Sequence, residues 1–466
     1  MPASRNLTVA LWAACVWTTA ACSAEGEDSD LDAGEDGPTY HADAAPILVE
    51  HCGACHTDGG IAPFSVYDPD QASAWAAASL DAIDGGRMPP FFAETSEQCE
   101  PPAPFADDPS LAGDDIAMLR AWVDAGAPIG LPSDAAALPD VAVEPLSPVS
   151  SVVMLQEPFE VSGSKDIYQC FRIPLPLDED AWITGLEVLP DNDLVVHHVL
   201  VWSDPEDLST GKAGPDGSYP CSGQPDIWPT ELIAAWTPGG SPMLTPPNTG
   251  TPVHPGGSLV VNVHYHPTGT TTEFDQSSVA LQWTNERPDN YVTWYLVDIP
   301  FGAEVLPSED PTTGEQEDDF LIPAGASEHV ETVSLFLPDY IPWELPVFAI
   351  TPHMHYLGTE MLVTVDHEGD EADTCLIHTP GYRFDFQTSY VYDADADDLP
   401  VVKAGDRVNV RCTYDNSESN PYLDLQLEAL GAQSPLDVTW GEETDQEMCM
   451  AMVGLILPPI EITQLF

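Results

Sequence analysis

The 466-residue sequence predicts a multidomain chain, a small all-α domain followed by two all-β sandwiches. Length is the first reason, because one hydrophobic core does not organise a chain this long. The second is a short N-terminal region with helical apolar spacing, as in Asp114-Asp115-Ile116-Ala117-Met118-Leu119-Arg120-Ala121-Trp122-Val123. The third is a change near residue 150 to short β-branched and aromatic runs broken by Pro, Gly and Asp, the pattern of antiparallel sheets. The 47 prolines suit many turns between short strands. Apolar residues make up 43% of the chain, which excludes wholesale disorder. Acids outnumber bases 78 to 11, a net charge of −67, and that excludes nucleic-acid binding, which needs clustered Lys and Arg.

Residues 1–22 read as a targeting segment. Arg5 precedes the apolar stretch Leu7 to Ala21, which is too short and too near the terminus to span a membrane. Thr19-Ala20-Ala21-Cys22 resembles a bacterial lipoprotein processing site that would leave Cys22 acylated, the chain's one expected membrane attachment. Thr19 stands where an aliphatic residue is usual, so simple cleavage after export stays open. The expected location is periplasmic, outer-membrane-anchored or cell-surface. Residues 23–39 form an acidic tether: seven of the fifteen residues from Ser23 to Gly37 are acidic.

The next domain, residues 40–131, holds Cys52-Gly53-Ala54-Cys55-His56, the C-x-x-C-H haem-attachment signature. Two thiols become thioethers to the porphyrin, and the adjacent His56 becomes an axial ligand to iron. A zinc half-site or chance spacing are the competing readings, but the only other local cysteine is Cys99. Met88, in Gly86-Arg87-Met88-Pro89-Pro90, is the expected second axial ligand; thioether opposite imidazole suits electron transfer. Met118 competes, but it lies on a helix whose apolar face is expected to pack the core. With these motifs, residues 40–131 resemble a small c-type cytochrome, which implies one covalently attached haem c. Residues 132–150, rich in Pro, Asp and Ala, read as a linker.

Two β-sandwiches follow, expected over 151–286 and 287–466. Histidines recur on their strands: Val195-Val196-His197-His198-Val199, Asn262-Val263-His264-Tyr265-His266, and Thr351-Pro352-His353-Met354-His355. In an extended chain His353 and His355 share a face and suit one transition-metal ion; two ordinary solvent-facing histidines are the alternative. Adjacent His197 and His198 point to opposite faces of a regular strand, so sharing a metal requires a local twist or an edge position. Ten cysteines are present: Cys15 falls in the targeting segment, and Cys99, Cys170, Cys221, Cys375, Cys412 and Cys449 are disulfide candidates in an oxidising compartment.

The order of HHVLVW, VNVHYHP, TPHMHYLG and Asp445-Gln446-Glu447-Met448-Cys449 resembles the copper type II, ascorbate-dependent monooxygenases. The resemblance spans roughly residues 155 to 460 and implies two jelly-roll-like domains. It implies two copper ions, one on His197, His198 and His264, the other on His353, His355 and Met448. The second would meet O₂, since thioether beside imidazole favours Cu(I). It also implies the pairs Cys412–Cys449 and Cys170–Cys221; a link between the remaining Cys99 and Cys375 is a guess. The implied partners are O₂, a small-molecule substrate, and ascorbate or another one-electron donor, here suggested to be the fused haem. Peptide-hydroxylating relatives carry an Arg at the position of Thr351, and Asn and Tyr at those of Met450 and Met452. A carboxylate-bearing peptide substrate is therefore disfavoured. His254 and His266 are expected at the surface. The rival reading is a non-catalytic electron-transfer or copper-binding lipoprotein on the same fold.

Overall fold

The computed structural model describes residues 37–458, apart from 59, 61, 140–144, 164, 222–223, 229, 239, 310–315, 318 and 370–371. The targeting segment, Cys22 and nearly all of the acidic tether lie outside the described residues. In the helical region, prolines sit in the first turns, where a missing N–H costs nothing. A π-helical turn, Tyr40–Ala44, runs into α1, Ala45–Cys52. Asp68 caps α2, Pro69–Asp84, accepting from the Asp70 and Gln71 amides at 2.9 and 3.2 Å. The third helix, α3, is Gly113–Asp124. Leu48, Val49, Ala72, Ala76, Leu119 and Trp122 form a core belonging to this region alone. Met118, expected on the packed face of α3, is only half-buried; Leu119 and Trp122 fill that role.

The first sandwich contains β1 (Ile167–Pro174), β2 (Ala181–Leu189), β3 (Val196–Asp204), β4 (Glu231–Trp236), β5 (Ser258–Tyr265) and β6 (Ser278–Thr284). One five-stranded sheet orders Ser218–Pro220, β1, β5, β3, β4; the other is built around β6 and β2. Every pairing is antiparallel. All eight residues of β5 are buried. The reason is a second covering layer: Leu259, Val261, Val263 and Tyr265 enter the sandwich core, whereas Val260 joins the hydrophobic cluster of the second sandwich. His264 shares the face of Val260, so it looks toward the second sandwich.

The second sandwich adds β7 (Tyr291–Val297), β8 (His329–Phe336), β9 (Leu345–His353), β10 (Gly358–Asp366), β11 (Thr374–Thr379), β12 (Arg407–Tyr414) and β13 (Met450–Leu457). Its sheets run β7-β13-β9-Tyr390–Val391 and Glu304–Leu306-β8-β12-β10-β11. Gly454 on β13 lets Phe348 lie across the strand, since a Cβ there would come within 2.7 Å of the ring. Strand β9 and its neighbour β13 place Thr351, His353, Met450 and Met452 on one cavity wall.

Residues 89–106 leave the helical region and cross onto the second sandwich. Phe91, Phe92 and Phe105 pack against Tyr390, Tyr392 and Phe386, Phe105 bridges Tyr392, and Cys99 is disulfide-bonded to Cys375. The Glu94 amide donates to the His378 carbonyl at 2.9 Å. Among the described residues no helix is long and apolar enough to cross a membrane.

Candidate metal centres

On β3 and β5 the register runs His264 opposite His198, then Tyr265 opposite Val196, which leaves His197 as the extra residue of a bulge. A bulge re-aims a side chain, and this one turns adjacent histidines toward a common point. His198 Nδ1 lies 3.3 Å from both His197 Nδ1 and His264 Nδ1. Ligand nitrogens of all three rings fall within 4.8 Å of one another. One lone pair on His198 serves two such neighbours poorly, whereas a metal ion accepts one from each ring. Burial pushes His197 down to about 4, helped by His264, and holds His198 well below the usual imidazole range, so both are neutral and ready to coordinate. Behind the cluster, Asp166 Oδ2 lies 3.2 Å from His264 Nε2, although off the line of a good hydrogen bond, and Asp166 Oδ1 is 2.8 Å from His266 Nδ1. The Tyr168 ring stacks flat on His264, with centroids 4.2 Å apart.

The H-x-H pair departs from the expected continuous strand. Strand β9 ends at His353, and His355 sits in the turn before β10 because the chain must reverse there. Gly358 is required at that reversal, since a Cβ would overlap the Met354 side chain at 2.5 Å. Met354 is fully buried and points into the core, as expected. The rings of His353 and His355 still converge, with centroids 5.1 Å apart. His355 Nδ1 donates to the Gln446 carbonyl at 3.0 Å, which leaves Nε2 with its lone pair. His353 Nδ1 donates to Gln387 Oε1 at 2.5 Å, and Gln387 is itself oriented by donating to the Phe384 carbonyl. Burial, with His353 beside it, pushes His355 down to about 3, and burial also lowers His353. Met448 is delivered from the loop before β13. Buried Glu447 ties that loop to the histidine turn by accepting the His355 and Leu357 amides at 2.9 and 2.6 Å. Burial pushes its carboxyl up to about 8. The Cys412–Cys449 disulfide and the Tyr414 hydroxyl, which donates to the Met448 carbonyl at 2.8 Å, fix the other side of Met448.

One cavity opens between the sandwiches, lined by His198 and Trp202 on one side and by His353, His355 and Met448 on the other. Thr351, Met450, Met452 and Leu296 make its wall beside Met448; among the described residues Glu442 and Glu443 also line the cavity and no Lys or Arg does. Thr351 is occupied with Ser389, hydroxyl to hydroxyl at 2.7 Å.

Residues 152–271 match the model of the copper type II ascorbate-dependent monooxygenase N-terminal domain. That stretch carries His197, His198 and His264 together with Asp166 and Tyr168, and it supports a copper monooxygenase-like function. No curated protein matches the chain. Among solved structures, one titled "Structure of infectious bursal disease virus Gx strain" is similar over 68% of this chain and 75% of its own, at 6% identity and a TM-score of 0.19, a likeness that carries no argument.

The C-x-x-C-H motif follows directly from α1. The His56 amide donates to the Cys52 carbonyl at 2.9 Å, and His56 Nδ1 donates to the Phe64 carbonyl at 3.2 Å, which leaves Nε2 as a possible ligand. Phe64 packs on His56 and stacks on Trp75. Burial lowers His56 and pushes the Cys52 thiol up to about 12. Cys52 and Cys55 are the free cysteines among the described residues; the disulfides are Cys99–Cys375, Cys170–Cys221 and Cys412–Cys449. Cys55 lies in a cleft with Asp193, Val196, Trp236 and Pro238, its sulfur 3.6 Å from the Pro238 carbonyl. Met88 is half-buried beyond the end of α2 and does not line that cleft.

His254 and His266 are exposed, each beside an aspartate. Sequence reasoning missed Asp166, Gln387 and Glu447. Glu447 lies inside the Asp445–Cys449 motif beside Met448, the one signal that pointed to it, and Asp166 left none. Gln387 arrives from a distant loop and left no signal.

Proposed function

We propose that this chain is an exported dicopper monooxygenase that hydroxylates a C–H bond of a small, largely apolar substrate, with a covalently attached haem c as its electron entry. The observation that carries the reading is the opposition of two imidazole clusters across one cavity, backed by the family match over the first of them. His197, His198 and His264 offer three imidazole nitrogens, a donor set that fits copper in either redox state. His353, His355 and Met448 offer two nitrogens and a soft sulfur. Copper at the two positions would supply the one-electron and O₂ chemistry of the net reaction, in which C–H, O₂, two electrons and two protons give an alcohol and water. Gln387 and the Gln446 carbonyl hold the Nδ1 protons of His353 and His355, so both rings keep Nε2 free. Glu447 and the Cys412–Cys449 bond keep Met448 in reach of that pair. Thr351, Met450 and Met452 would give the substrate a largely apolar seat beside Met448.

Cys52 and Cys55 would hold the haem by thioethers, and His56 Nε2, with Met88 as the expected second ligand, would bind its iron. A Met/His haem serves as a one-electron reservoir. Export by the N-terminal segment, with or without acylation of Cys22, would place attachment and disulfide formation in an oxidising compartment.

The test is oxygen uptake by full-length holo-protein with ascorbate, across a panel of apolar amides, amines and phenols, with metal content measured on the same sample. The account expects substrate-dependent uptake, about two coppers and about one haem iron per chain. Zinc in place of copper overturns it. Full copper loading without uptake on any substrate of the panel favours the non-catalytic copper-binding reading.

A further inference from the structure

Trp236 is the last residue of β4, and it lines two cavities at once. One is the cleft that holds Cys55 and Thr57 of the C-x-x-C-H segment; the other is the large cavity that holds His198, His353 and Met448. Two further observations connect these places. The Cys55 sulfur rests 3.6 Å from the carbonyl of Pro238, two residues beyond Trp236. On the sheet, Trp236 pairs with Val199, the neighbour of His198, and Val196 in the Cys55 cleft is the neighbour of His197. The attachment motif therefore borders the strand residues that flank His197 and His198, while Met448 lines the other cavity. The residue the two cavities share is a half-buried indole, a polarisable π-system.

We propose that Trp236 is the electron-transfer bridge from haem c at Cys52 and Cys55 to the His197/His198/His264 copper. The proposal rests on the haem and copper reading above. One electron passes per event, oxidising Fe(II) to Fe(III) as Cu(II) becomes Cu(I), with no bond made or broken. Trp236 is a bridging residue: it carries electronic coupling and needs no change of its own net charge.

The experiment follows haem reoxidation by stopped-flow absorbance in full-length holo-protein. Haem is reduced under anaerobic conditions with copper oxidised, in the unaltered chain, in Trp236→Leu and in Trp236→Phe. Haem and copper contents and the haem potential are measured on the same preparations. In Trp236→Leu, haem reoxidation is expected to slow by about tenfold or more through lost coupling, with contents and potential unchanged. Trp236→Phe keeps an aromatic ring and recovers part of the rate, and it stands in should the Leu variant fail to fold. Direct reduction of copper by ascorbate, read by loss of the Cu(II) paramagnetic signal, stays as it was. An unchanged haem rate in fully loaded variants overturns the bridge and leaves the wider reading standing. A chain that carries no haem overturns that reading and the bridge with it.

Discussion

At the scale of single residues, the first cluster depends on a carboxylate that binds nothing itself. Asp166 faces His264 on the nitrogen opposite the one aimed at His197 and His198, and it also holds exposed His266. Burial works against its ionisation, but the two imidazoles outweigh burial and hold its carboxyl below the usual range. A partner of this kind fixes ring orientation and raises ligand basicity. Asp166→Ala is expected to weaken copper binding at the first site by about 10–100-fold, while Asp166→Asn, which keeps an acceptor, recovers part of it. Competition against a copper chelator measures both. The residues of the clusters were themselves legible in the sequence, because paired histidines on β-patterned runs are rare enough to notice. Their supports were less so. Glu447 reads as an ordinary acid beside Met448 until the chain folds and two amides from the histidine turn close on it.

At the scale of elements, the alternation of apolar residues gave the strands but misjudged two of their ends. His197 and His198 share a site because β3 carries a bulge opposite the His264–Tyr265 step, and a bulge leaves no mark in a pattern of apolar residues. His355 lies in a turn because Gly358 allows the chain to fold tightly over Met354. The end of β7 makes a further element-scale prediction. Asp298 follows that strand and is fully buried. It accepts the Ile299 amide at 2.7 Å and the Trp440 indole at 3.0 Å on one oxygen, and among the described residues its other oxygen has no partner. Burial pushes its carboxyl up to about 6 from an ordinary 3.8. Between those values the folded chain keeps a proton that the unfolded chain releases, so this group's contribution to stability falls as pH rises from about 4 to about 6. The loss is on the order of 3 kcal/mol. Asp298→Asn, which cannot ionise, is expected to flatten that part of the profile, as read from thermal unfolding midpoints across the pH range.

At the scale of the whole molecule, sequence reading arranged the parts as beads joined by a linker. Residues 89–106 instead run back over the second sandwich and are locked there by Cys99–Cys375, while the C-x-x-C-H segment rests on the first sandwich. Such contacts join residues far apart in the chain, and their trace in the sequence was the guessed link between the leftover Cys99 and Cys375, which the structure forms. The same long-range packing buries both faces of β5 and turns the two histidine clusters toward one cavity. The claim that these clusters are separate copper sites is the centre of the account. It is tested most directly by copper titration of the metal-free, full-length chain and of its His198→Ala and His353→Ala variants. The account predicts about two equivalents for the unaltered chain and about one for each variant, the lost site differing between the two by its paramagnetic spectrum. Two equivalents retained in either variant, or a single equivalent in the unaltered chain, would contradict it.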